Sequence, residues 1–312
     1  MIISFIIPAY KASETLDTTL RSIFTPALPQ DWKLDVLVAD DGSPDGEKQR
    51  EVTEKYTEVT YISHSPNQGK CAAMNLAVPH SCGEIVIMLD ADDHLVDHWP
   101  ATLAEILKTW PIEAPLCFSA CRTHTGQSTV AEPNYNGPLH FEDLLNERHT
   151  GEYLPIFRGD DLRARKGYRD PEMPWGCEMW TYLGVTKEAS AWISSEILRI
   201  YHYDRPGSVT HSRNQSHTAS QIARCYDLVF EDFGDDYQTI APTKYQQRRL
   251  RQAVYTALSG DRSKAWALWK KAASLSSLLE SFAALTLIIL GKAMTARLVS
   301  LAKSLGLIKR FG

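Results

Sequence analysis

The stretch Ile85-Val86-Ile87-Met88-Leu89-Asp90-Ala91-Asp92-Asp93 decides how the chain is read. An apolar, partly β-branched run reads as a buried strand, and it stops abruptly in acid. In extended backbone, residues two apart share a face, so Asp90 and Asp92 point the same way. Two desolvated carboxylates side by side repel each other and require positive charge nearby. A hard divalent cation held by one or two carboxylates, with water and phosphate oxygens completing its shell, meets that need. An acidic loop facing water is the other reading, and the segments upstream bear on the choice.

Those segments alternate strand and helix signals. Ile2–Ile7 reads as a strand and Ser13–Phe24 as a helix with Ser13 at its N-cap; Leu34–Ala39 is a second strand and Glu47–Lys55 a polar helix. Val59–Ser63, then a helix over Gly69–Ala77, then the strand Glu84–Leu89 complete the series. Such alternation implies parallel strands joined by crossover helices, hence an α/β sheet with ligands beyond the carboxyl ends of its strands. The strand ends carry polar clusters: Pro8-Ala9-Tyr10, Asp40-Asp41-Gly42-Ser43 and the acid run itself. That coincidence is the strongest sign of a site.

Each cluster also has a plain structural reading. Asp40-Asp41-Gly42-Ser43 is either an ordinary surface turn or a pocket whose carboxylates accept from a base or ribose. Asn67-Gln68-Gly69-Lys70, ahead of Asn75, is either a simple helix start or a place where backbone and an ammonium meet a diphosphate. Trp175-Gly176-Cys177-Glu178-Met179-Trp180 sets one carboxyl between two indoles; desolvation by the rings would suit Glu178 to accept a proton. Trp175 and Trp180 are candidates to stack on the apolar face of a ligand. Arg199 to Thr210 runs from a strand into a polar loop, either hydrophilic surface or a flap over a ligand. His202, His211 and His217 are open to metal binding, but lone histidines are commonly structural, and none is assigned.

The 312 residues suffice for one large domain or two smaller ones, and the net charge of −5 argues against nucleic-acid binding. Six cysteines without a C-x-x-C pair point to a reduced, cytoplasmic protein with buried thiols. Met1–Ile7 lacks the basic leader and the length of a signal peptide and reads as a first strand. From Trp99 to Asp236 the pattern is looser. Tyr245–Ser259 and Arg262–Ala273, separated by Gly260-Asp261, read as a helical hairpin that Gly260 terminates. Residues 281–312 hold no acid and five cations, and Met294, Leu298, Leu301, Leu305 and Ile308 form one apolar helical stripe. The run Phe282–Leu290 is too short to span a bilayer. A helix lying on an anionic membrane surface and a helix packed on the protein both fit this pattern.

Taken in order, Ile6-Ile7-Pro8-Ala9-Tyr10, Asp40-Asp41-Gly42-Ser43-Pro44-Asp45, Asn67-Gln68-Gly69-Lys70 through Asn75, and Leu89-Asp90-Ala91-Asp92-Asp93 resemble the family-two glycosyltransferases of GT-A fold. The resemblance covers about the first hundred residues. It implies an inverting, metal-dependent glycosyltransferase: a mostly parallel sheet flanked by helices over 1–240, split near 115 into nucleotide-sugar and acceptor halves, with a helical extension over 241–312. It implies that Pro8, Ala9, Tyr10, Asp40, Asp41, Lys70, Asp90 and Ala91 surround the nucleotide sugar, that Asp92 holds Mg or Mn, and that Glu178 is the catalytic base. The donor would be a UDP-sugar and the acceptor a saccharide or lipid-linked saccharide, with peripheral contact to the inner membrane face through 281–312. Two departures stand out: Glu178 is flanked by Cys177 and Met179 rather than by a second acid, and Lys11 replaces the usual asparagine. A non-catalytic nucleotide-sugar binder and a sugar-phosphate nucleotidyltransferase are the alternatives. The second would need a glycine- and arginine-rich loop where Pro8-Ala9-Tyr10-Lys11 stands.

Overall fold

Strand β1 (Ile2–Ala9) is apolar on both faces because it lies inside a sheet, paired in parallel with β2 (Lys33–Asp41) and with β4 (Ile85–Met88). This computed structural model describes residues 1–202, 216–273, 280–290, 294 and 297. Residues 203–211 of the polar segment, the His217 side chain, and Leu298, Leu301, Leu305 and Ile308 of the apolar stripe lie outside the described residues.

Between these strands run α1 (Leu16–Phe24), α2 (Gly46–Thr53), β3 (Val59–His64) and α3 (Lys70–Ala77). The chain continues through β5 (His94–Leu95), α4 (Trp99–Thr109), β6 (Leu116–Thr123), β7 (Gly137–Leu139) and α5 (Phe141–Leu145). Then follow β8 (Tyr153–Arg158), α6 (Gly159–Ala164), α7 (Glu178–Glu188) and β9 (Ala191–Tyr201). The sheet order is β3-β2-β1-β4-β8-β6-β9-β5, with β7 on β9. The four strands predicted from the alternating pattern are parallel, as expected; beyond β4 the sheet is mixed, because β8 runs antiparallel to both β4 and β6.

Register is what gathers the polar ends. Ala9 is level with Asp40, Asp41 with His64, and Ile6 with Met88, so three strands deliver their clusters to one edge. Behind that edge, Phe5 meets Trp99 edge-on at 5.3 Å, and the Trp99 indole donates to Ile23 O at 3.2 Å. The large aromatic is therefore buried with its polar atom satisfied.

One expectation fails at α1. Ser13 is not its N-cap: the helix starts at Leu16, and the backbone N–H of Ser13 donates instead to Asp45 Oδ2 at 3.1 Å. The backbone N–H of Lys11, at φ +53°, donates to Ser43 Oγ at 3.0 Å. The post-β1 loop is thus tied to the post-β2 loop rather than wound into helix.

The chain forms two compact units. The first comprises Met1–Phe141 and His149–Tyr203; the second comprises Glu142–Arg148 and Asp204–Gly312. The second contains α8 (Ser216–Ile240), α9 (Pro242–Ser259) and α10 (Arg262–Ala272). The predicted hairpin is present: Gly260, at φ +109°, ends α9, and Asp261 accepts from Lys264 N at 2.9 Å to cap α10. Residues 280–290 are helical, and Ala284 and Ile288 pack against Ala253, Ala257, Ala265, Leu250 and Ala272. Phe282 and Ile289 of the same helix are 70% and 55% exposed.

Within the second unit, Glu147 meets three cations spaced one turn apart on α9: Lys244 and Arg248 at 3.0 Å and Arg251 at 3.6 Å. Burial pushes the Glu147 carboxyl up, but Arg248, Lys244 and Arg251 outweigh it and hold it below the ordinary range. A carboxylate held low contributes stability above its unfolded value and loses it as pH falls through the folded one. Glu147→Gln is therefore expected to cost about 2 kcal/mol near pH 7 and much less at pH 3. Thermal unfolding followed across that range checks it; an equal loss at both pH values would show that the pairing does not matter.

Candidate active site

At the β2 end, Asp41 is fully engaged by the chain. It accepts from His64 Nε2 at 2.7 Å, Asn67 Nδ2 at 2.8 Å, Gln68 N at 2.8 Å and Gly69 N at 2.9 Å. The sequence reading aims this carboxylate at a nucleotide; the structure spends its oxygens on shaping the loop that starts α3. Asp40 is also buried, accepting from Ser43 N at 3.1 Å, and burial together with Asp40 raises the Tyr61 hydroxyl above its usual range. Ala9 is buried beside them, while Tyr10 presents a 43% exposed ring with the Lys11 ammonium 5.2 Å from its centre.

Gly69 is needed for two reasons. Its φ is +108°, and a Cβ there would sit 2.3 Å from Met173 O. The absent side chain lets the loop before α7 lie against the start of α3, which brings residues far apart in sequence together. Lys70, the first residue of α3, lies 2.7 Å from Asp90 Oδ1 and 3.4 Å from Glu178 Oε1. One ammonium thus joins the acid turn to the candidate base. Desolvation opposes its charge, but Asp90 and Glu178 together keep it protonated well above the ordinary lysine range.

The turn after β4 is anchored from below. Arg199 on β9 lies 3.3 Å from Asp90 Oδ2 and 3.1 Å from Asp93 Oδ2, and Asp93 Oδ1 accepts from His202 N at 2.8 Å. Burial pushes Asp90 up, yet Lys70 and Arg199 prevail and hold it low. Asp93 is more enclosed, and burial lifts it to about 8 against the pull of Arg199. Thr19 Oγ1 lies 3.0 Å from Ala91 O and 2.7 Å from Asp93 O, so these carbonyls face the interior rather than a ligand.

Glu178 opens α7, and Gly176 leaves room for it: a Cβ at 176 would lie 2.8 Å from Glu178 Oε2. One of the two indoles expected beside Glu178, Trp180, is turned away from it. Trp180 is about 200° further round the helix at 3.6 residues per turn, and its ring faces Arg169 at 5.3 Å. Lys70 is the close partner instead. Behind it, the hydroxyls of Tyr168 and Tyr182 meet at 3.3 Å, and Tyr182 packs edge-on against Phe118 at 5.0 Å. Tyr182 lies one turn beyond Glu178 on α7, a spacing visible in the sequence once the helix is known; Tyr168 joins it only through the tertiary structure.

Beside Asp92 lies a group that the sequence reading leaves unassigned. His94 Nδ1 and His202 Nε2 are 3.0 Å apart, and His124 stacks on His202 at 5.5 Å. Burial lowers both His94 and His202, while Asp92 draws His202 the other way. Among the described residues no group of three His, Cys, Asp or Glu side chains closes on a single point. The two imidazoles bond to each other, so of this group Asp92 is the residue suited to a cation that takes most of its shell from water and a ligand. Arg199, which opens the stretch read as passing from a strand into a polar loop, is a buried residue of that strand, β9.

Residues 4–141 match the family described as "Glycosyl transferase family 2". The chain is 32% identical over 99 residues to glycosyltransferase AglE of Haloferax volcanii, covering 31% of this chain and 32% of that protein. It is 25% identical over 217 residues, 67% of each chain, to the GalNAc(5)-diNAcBac-PP-undecaprenol beta-1,3-glucosyltransferase of Campylobacter jejuni. In fold it is similar to S. aureus TarS 1-349 in complex with UDP-GlcNAc, with a TM-score of 0.56 at 17% identity over 95% of this chain and 83% of that one.

Proposed function

We propose that this chain, whose residues 4–141 match glycosyl transferase family 2, transfers a sugar with inversion from a UDP-sugar to a hydroxyl of a lipid-linked saccharide. One observation carries the reading: Lys70 lies between Asp90 and Glu178, at 2.7 and 3.4 Å, so a carboxylate suited to a ribose and one suited to an acceptor share one cation. The UDP-GlcNAc bound by TarS and the undecaprenol-linked substrate named for the Campylobacter relative support the donor and acceptor classes.

In this mechanism Pro8, Ala9, Tyr10 and Asp40 border the nucleoside, and Asp41 acts on it through the loop it organises. Asp90 accepts from the ribose, and Lys70 offers positive charge to the diphosphate beside the α3 N-terminus. Glu178 takes the proton of the acceptor hydroxyl as that oxygen attacks the anomeric carbon, and the bond to the diphosphate breaks. Mg or Mn would be held through Asp92; when bound, it would supply charge neutralisation on the departing diphosphate. Lys70 leaves Glu178 for the diphosphate, which frees the base when the donor is seated. Trp175 remains the candidate for stacking on the acceptor sugar.

A nucleotide-sugar panel with Mn tests this directly. UDP-hexoses are expected to release UDP in the presence of an acceptor, whereas GDP- and CMP-sugars are not. Binding without release would identify a non-catalytic relative, and no UDP binding at all would end the reading.

The same proposal places the protein on the inner membrane face. No helix among the described residues is long and apolar enough to cross a bilayer. Phe282 and Ile289 share an exposed side of helix 280–290 while Ala284 and Ile288 are buried, and the acid-free segment 281–312 adds five cations. Phe282→Asp with Ile289→Asp should reduce binding to anionic vesicles at least roughly tenfold while sparing the packed face. Unchanged co-sedimentation would exclude membrane docking by this helix.

A further inference from the structure

The guanidinium of Arg199 is nearly sealed from solvent, with 2% of the residue exposed. It hydrogen-bonds three partners and ion-pairs a fourth, Asp93. Nη1 lies 3.3 Å from Asp90 Oδ2 and 3.1 Å from Asp93 Oδ2, Nη2 3.1 Å from Tyr153 O, and Nε 3.2 Å from Cys121 Sγ. These partners come from the turn after β4, from β8 and from β6, so one side chain joins three neighbouring parts of the sheet. A buried charge is costly unless it is paired and hydrogen-bonded, and this one is both. Only a planar fork spans such a set; an ammonium on a flexible stem presents one compact charge.

Asp90 is held at both ends as a result. Arg199 takes Oδ2 from inside the sheet, while Oδ1 meets Lys70 at 2.7 Å. The His202 N–H on Asp93 and the Thr19 hydroxyl under Ala91 and Asp93 add further ties to the same turn. We infer that Arg199 is a positioning residue for donor binding: it clamps the Asp90-to-Asp93 turn to the sheet and sets the direction in which Asp90 presents its outer oxygen. The identity of the donor rests on the function proposed above; the clamp itself does not.

The test uses the full chain with Arg199→Lys and Arg199→Met, each alone and combined with Asp90→Asn. UDP affinity, donor and acceptor KM, kcat, and amide hydrogen exchange at residues 90–94 and 202 are measured. Each Arg199 variant is expected to raise the UDP Kd and the donor KM by roughly 10- to 100-fold, the loss typical when a partner that orients a ligating group is removed. The acceptor KM should stay within about twofold, since uniform loosening would move both. Turn amides should exchange faster without any ligand. In the Asp90→Asn background the further loss on Arg199→Lys should shrink to about twofold, because contacting residues that act as one unit are not additive.

Arg199→Lys with native UDP affinity and native exchange would overturn the inference, as would fully additive losses accompanied by a matching rise in acceptor KM. If Arg199→Met does not fold, Arg199→Lys decides. A wild-type chain that binds no UDP would refute the proposed function, and the exchange measurement would still decide whether Arg199 holds the turn.

Discussion

Glu178→Gln should bind a UDP-sugar as the wild type does and turn it over about a hundred to ten thousand times more slowly, the range for loss of a positioned general base. Glutamine keeps the volume and can still accept from Lys70, which lies 3.4 Å away. It cannot take a proton from an attacking hydroxyl. Donor affinity is the control, because Lys70 and Asp90 remain in place. Steady-state UDP release with a saturating acceptor, alongside calorimetric binding, reads both quantities. Full activity in this variant would remove Glu178 from the reaction, and lost donor binding would mean that its role is to hold Lys70.

Asp92→Asn should abolish the cation dependence of donor binding. The substitution removes a charge from the turn but leaves the buried anchors of its neighbours, Asp90 on Lys70 and Arg199 and Asp93 on Arg199. If Mn is held through Asp92, UDP affinity measured with Mn should fall at least roughly a hundredfold, toward the value found with a chelator, since a bound cation is worth several kcal/mol of charge stabilisation on a diphosphate. His94 and His202 lie beside Asp92 but bring no charge when neutral, so they should not rescue it. A variant that responds to Mn as the wild type does would show that the cation binds elsewhere or plays no part.

The sites of both substitutions are visible in sequence, and their partners are not. The acid run at 90–93 announces itself because a strand signal and its termination are local. Lys70 is legible as a cation at a helix start, yet nothing nearby says that it meets Glu178, 108 residues on. That meeting depends on Gly69, whose missing side chain admits Met173 O. Arg199 is legible as a strand end before a polar loop, but its burial shows only when β9 is seen inside the sheet, level with Cys121 on β6. Trp180 shows the reverse error, since residues two apart in sequence point to different sides of a helix. Helix α8 went unread within a stretch whose aromatics and prolines blur any period.

The sequence by itself determined the elements whose signals span a few residues: the four parallel strands, the polar clusters at their ends, and the hairpin that Gly260 divides. Hydrophobic period and turn chemistry are properties of short windows, and they survive without knowledge of the rest. Only the tertiary structure decided which acid meets which cation, that Asp41 accepts from the loop before α3, and that Arg199 pairs with the acid turn. Ion pairs form over about 3 Å, and here strand register and one glycine contact set those distances between residues as many as 109 apart.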